Sequence, residues 1–232
     1  MLDQAHQAVS AALKAGADYA DVRINRLCQE RYTVRDGALE EADAPEDFGI
    51  GVRVLKDGAW GFAAAPCAAG EVGDVYPDLV RRAVKVALDV APTRREPLRL
   101  AAEDGHMGEY VTPVERDPFA VGLETKLDLL REASNSMAGH AATVARTASL
   151  SLRREEQWQA SSDGAALHQV LVRCGAGMTC VSAANGTVER RSYPASFGGN
   201  YRSAGWEFVE GLDLCDHGQR LRDESVALCH AP

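Results

Sequence analysis

Two cysteines and two histidines late in the sequence, Cys215, His217, Cys229 and His230, come nearest to a metal-ligand set. Thiolate and imidazole together suit tetrahedral zinc. Their spacing does not. The gap 229 − 217 is 12 residues, more than three helical turns, so one helix cannot close the cage. Neither His-Glu-x-x-His nor Cys-x-x-Cys occurs, and Cys174 and Cys180 stand six apart, an unusual half-site. No metal ligand is assigned in this chain. His6, His106, His140 and His168 have no acidic or thiol neighbour at a telling spacing, and they read as structural or solvated.

Covalent and phosphate chemistry find no better footing. A Gly-x-Ser-x-Gly elbow, a P-loop and a Gly-x-Gly-x-x-Gly turn are all missing from the sequence. Gly49-Ile50-Gly51 and Gly175-Ala176-Gly177 fall inside strand-like runs, where glycine marks a bulge or a close backbone approach. Glu40, Glu41, Asp43, Glu46, Asp47, Glu155 and Glu156 cluster, and paired carboxylates can move protons. Runs of this kind read as solvated strand faces and loops, so no catalytic residue is assigned. One stretch differs. Arg190, Arg191, Tyr193, Phe197 and Tyr201 gather around Gly198-Gly199, and Trp206 follows. Arginine and aromatic side chains carry most of the binding energy at interfaces. These six are the candidate contacts for a peptide or a partner.

The elements that must position these residues are read from periodicity. Leu2, Ala5, Val9, Ala12 and Leu13 have helical spacing, with Gly16 as the stop. Short alternating runs follow: Val22 and Ile24, Tyr32 and Val34, then Ile50, Val52 and Val54, then Trp60, Phe62 and Ala64. Asp36-Gly37 and Asp57-Gly58 are hairpin signals between them. Pro77 is expected in the first turn of a helix that carries Leu79, Val80, Ala83, Val84 and Ala87. Residues 92–121 hold four prolines among charges and read as a linker or ordered loop. A helix through Leu123, Leu127, Leu130 and Met137 comes next, closed by Gly139. Strands around Val144–Leu152 and Val170–Cys180 flank the turn Asp163-Gly164. A last helix spans about 214–228, with Asp213 at its cap.

Two halves match in order. Asp36-Gly37 aligns with Asp163-Gly164, Gly49-Ile50-Gly51 with Gly175-Ala176-Gly177, and Trp60-Gly61-Phe62 with Trp206-Glu207-Phe208. The fold expected is α+β, two related helix–antiparallel sheet–helix repeats from an internal duplication. The domains are 1–91, a linker 92–121, and 122–232. The second half carries about 19 extra residues before its Trp, since 206 − 163 is 43 and 60 − 36 is 24. That insertion, 186–201, is expected to be a mobile loop that orders against a partner or peptide.

Composition bounds the function. The chain has 232 residues and a net charge of −9, and neither half is basic. That disfavours a binder of nucleic-acid phosphates. No apolar run approaches the roughly 18–20 residues that span a bilayer. The start lacks the basic and apolar regions of a secretory signal. Six scattered cysteines read as reduced thiols of a cytoplasmic protein.

Several segments together resemble a known family. Ala17-Asp18-Tyr19-Ala20-Asp21-Val22-Arg23, Val34-Arg35-Asp36-Gly37, Gly49-Ile50-Gly51-Val52-Arg53-Val54 and Trp60-Gly61-Phe62-Ala63 look like the N-terminal domain of TldD/PmbA proteins. Asp117-Pro118-Phe119, Glu124–Leu130, Ala148-Ser149-Leu150-Ser151 through Ser161-Ser162-Asp163-Gly164, and Gly205-Trp206-Glu207-Phe208 continue the likeness, closest to the TldD-like branch. The resemblance implies cytosolic zinc metallopeptidases that trim or degrade small or unfolded peptides, some as TldD–TldE heterodimers. An older name for the family is modulator of DNA gyrase. It implies that the zinc signature His-Glu-x-x-x-His and a later Cys belong to a C-terminal domain absent from this sequence. This chain would then be the non-catalytic N-terminal portion, with zinc in the missing domain and a TldE/PmbA-like or identical subunit as partner. The alternative it leaves open is a freestanding interaction module of the gyrase-modulator kind.

Overall fold

The computed structural model describes residues 1–231. In chain order the helices are α1 (Leu2–Lys14), α2 (Val72–Val90), α3 (Leu123–Ser136), α4 (Trp206–Glu210) and α5 (Leu214–Leu228). The strands are β1 (Tyr19–Arg35), β2 (Ala38–Asp43), β3 (Glu46–Lys56), β4 (Ala59–Pro66), β5 (Met107–Val111), β6 (Thr143–Ser161), β7 (Ala166–Ala184), β8 (Thr187–Tyr193) and β9 (Asn200–Arg202). Strand order is β4-β3-β1-β6-β7-β5, with β2 paired to β1 and both β8 and β9 paired to β7. The ladders β1–β2, β3–β4, β7–β8 and β7–β9 are antiparallel. β5 is the exception. It pairs parallel with β7, Glu109 opposite His168, and it arises inside the segment expected to be a linker or loop.

The chain forms two compact units that interleave along the sequence. One comprises 1–27, 46–111 and 155–171; the other comprises 28–45, 112–154 and the residues from Val172 onward. β1, β6 and β7 contribute residues to both.

In the first unit α1 and α2 pack together and on β3 and β4. Ala5, Ala8 and Ala12 of α1 and Ala83 and Ala87 of α2 meet Val22, Ile24, Val52 and Val54 in one core. α2 begins at Val72, so Pro77 is its sixth residue and not in its first turn. Burial of Val72 and a preceding turn closed by Glu71, which accepts the Ala68 N–H at 2.9 Å, extend the helix upstream. Pro77 then costs one intrahelical hydrogen bond.

β4 also departs from expectation. Ala59, Gly61 and Ala63 face the core, while Trp60, Phe62 and Ala64 lie on the opposite face. The reason is proximity. A Cβ at Gly61 would fall 1.8 Å from the Ala83 carbonyl oxygen, so α2 lies against the bare backbone of β4. The larger aromatic residues are left on the open face, with Phe62 61% exposed.

In the second unit α3 packs on α5, and α5 on β8. Leu127, Leu130, Met137, Leu150, Leu152, Met178, Trp206 and Leu221 form its core. The Asp36-Gly37 turn has φ of 51° and 81°, as a hairpin of this kind requires. Ser134 anchors it: its hydroxyl accepts from the Gly37 N–H at 3.1 Å and donates to the Arg146 carbonyl at 3.0 Å. Asp213 precedes α5 with φ of 47° and makes no side-chain cap.

Trp206 is not on a strand. It opens the short helix α4, so its alignment with Trp60 of β4 fails. The helix forms because the Glu207 carboxylate turns back to accept the N–H groups of Gly205 and Arg116, at 2.7 and 3.1 Å. The order α1-β1-β2-β3-β4-α2 is echoed by α3-β6-β7-β8-α5, with β9 and α4 added before α5. Asn185-Gly186, with φ of 54° and 78°, stands where Asp57-Gly58, at 49° and 71°, stands in the first series. The expected loop 186–201 is therefore mostly strand. β8 occupies Thr187–Tyr193, and only 194–199 separates it from β9.

Candidate functional site

Four of the seven clustered carboxylates form cross-strand ion pairs with arginines. Glu40 meets Arg35, Glu41 and Asp43 meet Arg31, and Glu46 meets Arg26, all on exposed faces. The metal candidates lie apart in role. The His217 ring packs on Tyr193 at 4.0 Å, the Cys229 thiol contacts the Ser182 and Ser225 carbonyls, and His230 Nδ1 is held by Asn185 at 2.7 Å. The Cys174 thiol donates to the Gly205 carbonyl at 2.9 Å, and burial, helped by Glu207, pushes it up to about 11. At that value it stays protonated and unreactive at neutral pH.

The open sheet face of the first unit forms a groove of about 600 Å³. Asp21, Arg23 and Asn25 of β1, Gly49, Gly51 and Arg53 of β3 and Phe62 of β4 line it. Asp21 is buried, and its carboxylate accepts from Arg53 Nε at 2.7 Å. The Arg53 guanidinium in turn covers the Trp60 ring at 4.7 Å, and Tyr19 meets that ring edge-on at 5.8 Å. Burial, then the charges of Asp21 and Asp163, raise the Tyr19 phenol. The Phe62 ring lies over Gly51, where a Cβ would stand 3.3 Å away. Asn25 Oδ1 is buried without a hydrogen-bond partner among the described residues. An aromatic wall and bare strand backbone suit an extended chain segment.

A second constellation in the same unit went unread in the sequence. His168 of β7 places Nδ1 2.9 Å from Glu109 and Nε2 2.9 Å from Glu156, and its ring stacks on Trp158 at 5.4 Å and 6°. Burial works against the charged imidazole, but hydrogen bonds to Glu156 and then Glu109 outweigh it, and the pKa is raised. The Asp163-Gly164 turn was the usable signal. Ser161 N–H bonds the Ala165 carbonyl at 3.1 Å, and Trp158 and His168 lie three residues to either side of that pair. Glu109 could not have been placed, since it arrives on the parallel strand β5.

In the second unit the structure brings three of the six expected contact residues to one pocket of about 410 Å³. Arg190, Arg191 and Tyr193 line it, with Arg220 and Glu224 of α5. Phe197 is 96% exposed, and Tyr201 is exposed on β9. Trp206 is not a surface contact. It is 2% exposed in the core, with its indole N–H on Glu210 at 2.9 Å. The second Gly-x-Gly explains how the 198–201 segment lies close on β7. A Cβ at Gly175 or Gly177 would stand 2.1 Å from the carbonyl oxygens of Asn200 and Gly198 respectively.

The first unit thus offers a groove on its open sheet face, and the second a pocket at β8 and α5. The sequence matches PmbA/TldA metallopeptidase domain 1 over residues 20–89 and the PmbA/TldA metallopeptidase central domain over residues 116–228. The chain belongs to the PmbA/TldD family. It is 25% identical over 176 residues to Metalloprotease MJ0996 of Methanocaldococcus jannaschii, covering 74% of this chain and 37% of that protein. It is 24% identical over 220 residues to a metalloprotease of Methanothermobacter thermautotrophicus, covering 92% and 44%. The chain thus spans less than half the length of these relatives. Its fold resembles a protein from Thermotoga maritima described as a modulator of a DNA gyrase, with TM-score 0.73, 15% identity, and coverage of 99% of this chain and 49% of that one. It also resembles TldE from Thermococcus kodakarensis, with TM-score 0.64, 13% identity, and coverage of 98% and 47%.

Metallopeptidase chemistry implies a metal. Among the described residues no group of three or more His, Cys, Asp or Glu could hold one, and both ring nitrogens of His168 are taken by carboxylates. The donors among the described residues do not fit a zinc centre. No helix among the described residues is long and apolar enough to cross a membrane.

Proposed function

We propose that this chain is the non-catalytic, substrate-facing portion of a TldD-like zinc metallopeptidase acting on small or unfolded peptides in the cytoplasm. Its work is to wall a cleft and to carry a contact surface for a TldE/PmbA-like or identical subunit. Zinc and its ligands belong to the C-terminal domain of the complete enzyme. The observation that carries this reading is the ordered match to the first and central domains of the family, in a chain less than half as long as relatives named metalloproteases. The groove of the first unit supports it. A peptide laid along β3 would set a side chain against Phe62 and its backbone over Gly49 and Gly51.

The test is photo-crosslinking of an unstructured peptide to the complete assembly, followed by mapping of the labelled residues. Labels are expected at Phe62 and at Phe48, which also lines the groove. Labelling that avoids residues 21–27 and 47–66 would remove this groove from the cleft.

A further inference from the structure

We propose that the pocket between β8 and α5 binds an oxyanion, taking a carboxylate or a phosphate group on its arginines. Arg191 and Arg220 reach the same carboxylate from two different elements. Arg191 Nε and Nη2 donate to Glu224 Oε2 at 3.1 and 2.9 Å, and Arg220 Nη1 donates to Glu224 Oε1 at 3.0 Å. Arg190 contributes to the rim of the same pocket, but its side chain alternates to the other face of β8, beside Thr179 and Gly198. Arg191 and Arg220 thus share one carboxylate, a local balance of 2 − 1, or +1, on a chain whose net charge is −9. Arg220 and Glu224 also line the adjoining groove of α5, together with Asp216 and with Asp223, which is held by Arg222.

The donors are held in place. Glu224 occupies only part of each guanidinium, which carries five N–H groups in a fixed fork. β8 is fixed by its ladder to β7, with Arg191 opposite Cys180 and Tyr193 opposite Met178. The Tyr193 hydroxyl donates to the Leu212 carbonyl at 3.0 Å, and the Arg220 guanidinium lies 5.9 Å from the Tyr193 ring centroid. The Ser192 hydroxyl donates to the Ala195 carbonyl at 2.7 Å and fixes the rim. Two forks already oriented on one carboxylate lose little freedom when a second oxyanion docks on their remaining N–H groups. A pocket of about 410 Å³ has room for a chain end, an acidic side chain or a small phosphate.

This inference rests on reading Arg190, Arg191 and Tyr193 as contact residues, and it does not require the chain to belong to a peptidase. The experiment is an NMR titration of the full chain with inorganic phosphate, and with one short peptide in free-acid and C-terminally amidated forms, at low and at 0.5 M salt. Saturable shifts confined to residues 190–196 and 220–224, weakening with salt, are expected. Preference for the free-acid peptide over its amide assigns a carboxylate source; response to phosphate alone assigns a phosphate source. The double variant Arg191→Gln/Arg220→Gln should lose about tenfold or more in affinity, while Arg82→Gln on α2 should lose none. Absence of saturable shifts in the unsubstituted chain would overturn the proposal, as would shifts spread over distant arginines. So would equal affinity in a folded double variant.

Discussion

Lys126 Nζ lies 2.5 Å from Glu30 Oε2, and the same oxygen accepts the Tyr32 hydroxyl at 3.1 Å. Lys126 is only 2% exposed. Burial, then the Glu30 charge, pushes the Tyr32 phenol up to about 12, so it remains a donor throughout the physiological range. The pair fastens the middle of β1 to α3 within the second unit. Removing one partner leaves the other charge poorly solvated, which costs about 3–5 kcal/mol for buried pairs. Lys126→Met should therefore unfold at markedly lower urea. Lys126→Met combined with Glu30→Leu should recover most of the loss. Equal stability of Lys126→Met and the unsubstituted chain would show that the pair is solvated.

His168 should make stability depend on pH between mildly acidic and neutral conditions. Its folded pKa is raised above the unfolded value of about 6.5. The folded state therefore binds the proton more tightly. The stabilisation is fully present below the unfolded pKa and fades as pH rises through the folded one. His168→Gln should flatten the urea midpoint against pH, and the imidazole resonance should titrate above the unfolded value. A midpoint profile unchanged by the substitution would exclude the Glu109–His168–Glu156 link as a stabilising contact.

Gly61 and Gly73 offer substitutions of opposite sign. A Cβ at Gly61 would meet the Ala83 carbonyl at 1.8 Å, while one at Gly73, in the first turn of α2, meets nothing within 4 Å. Gly61→Ala should cost about 1–3 kcal/mol through overpacking. Gly73→Ala should be neutral or gain up to about 1 kcal/mol through helix propensity. Denaturant midpoints of the two variants give the comparison. A tolerated Gly61→Ala would mean that α2 does not lie so close to β4.

These positions also mark what could be read in advance. The Asp36-Gly37 and Asp57-Gly58 turns and the apolar stripes of α1, α2, α3 and α5 are local signals, carried by residues within a few positions of one another. The face of β4 was misread because Trp60 and Phe62 outweigh Gly61 and Ala63 in apolar bulk, and only the approach of α2 selects the small residues. Trp206 shares the Trp-x-Phe pattern of Trp60 but not its strand, since its helix depends on Glu207 turning back on Gly205 and Arg116. In the His168 cluster the Asp163-Gly164 turn signals Trp158 opposite His168, but Glu109 comes from β5, whose parallel pairing leaves no local trace. Of the six contact residues, Arg190, Arg191 and Tyr193 meet at one pocket, whereas Trp206 went to the core.

The central claim is that this chain supplies the walls and contacts of a metallopeptidase whose metal lies elsewhere. Zinc content and peptide hydrolysis, measured side by side, test it most directly. One sample is this chain alone. The other is the same chain supplied with a family C-terminal half bearing His-Glu-x-x-x-His. Tight zinc and chelator-sensitive cleavage should appear only in the second sample. About one tightly bound zinc per chain in the first, with cleavage lost on chelation, would contradict the account.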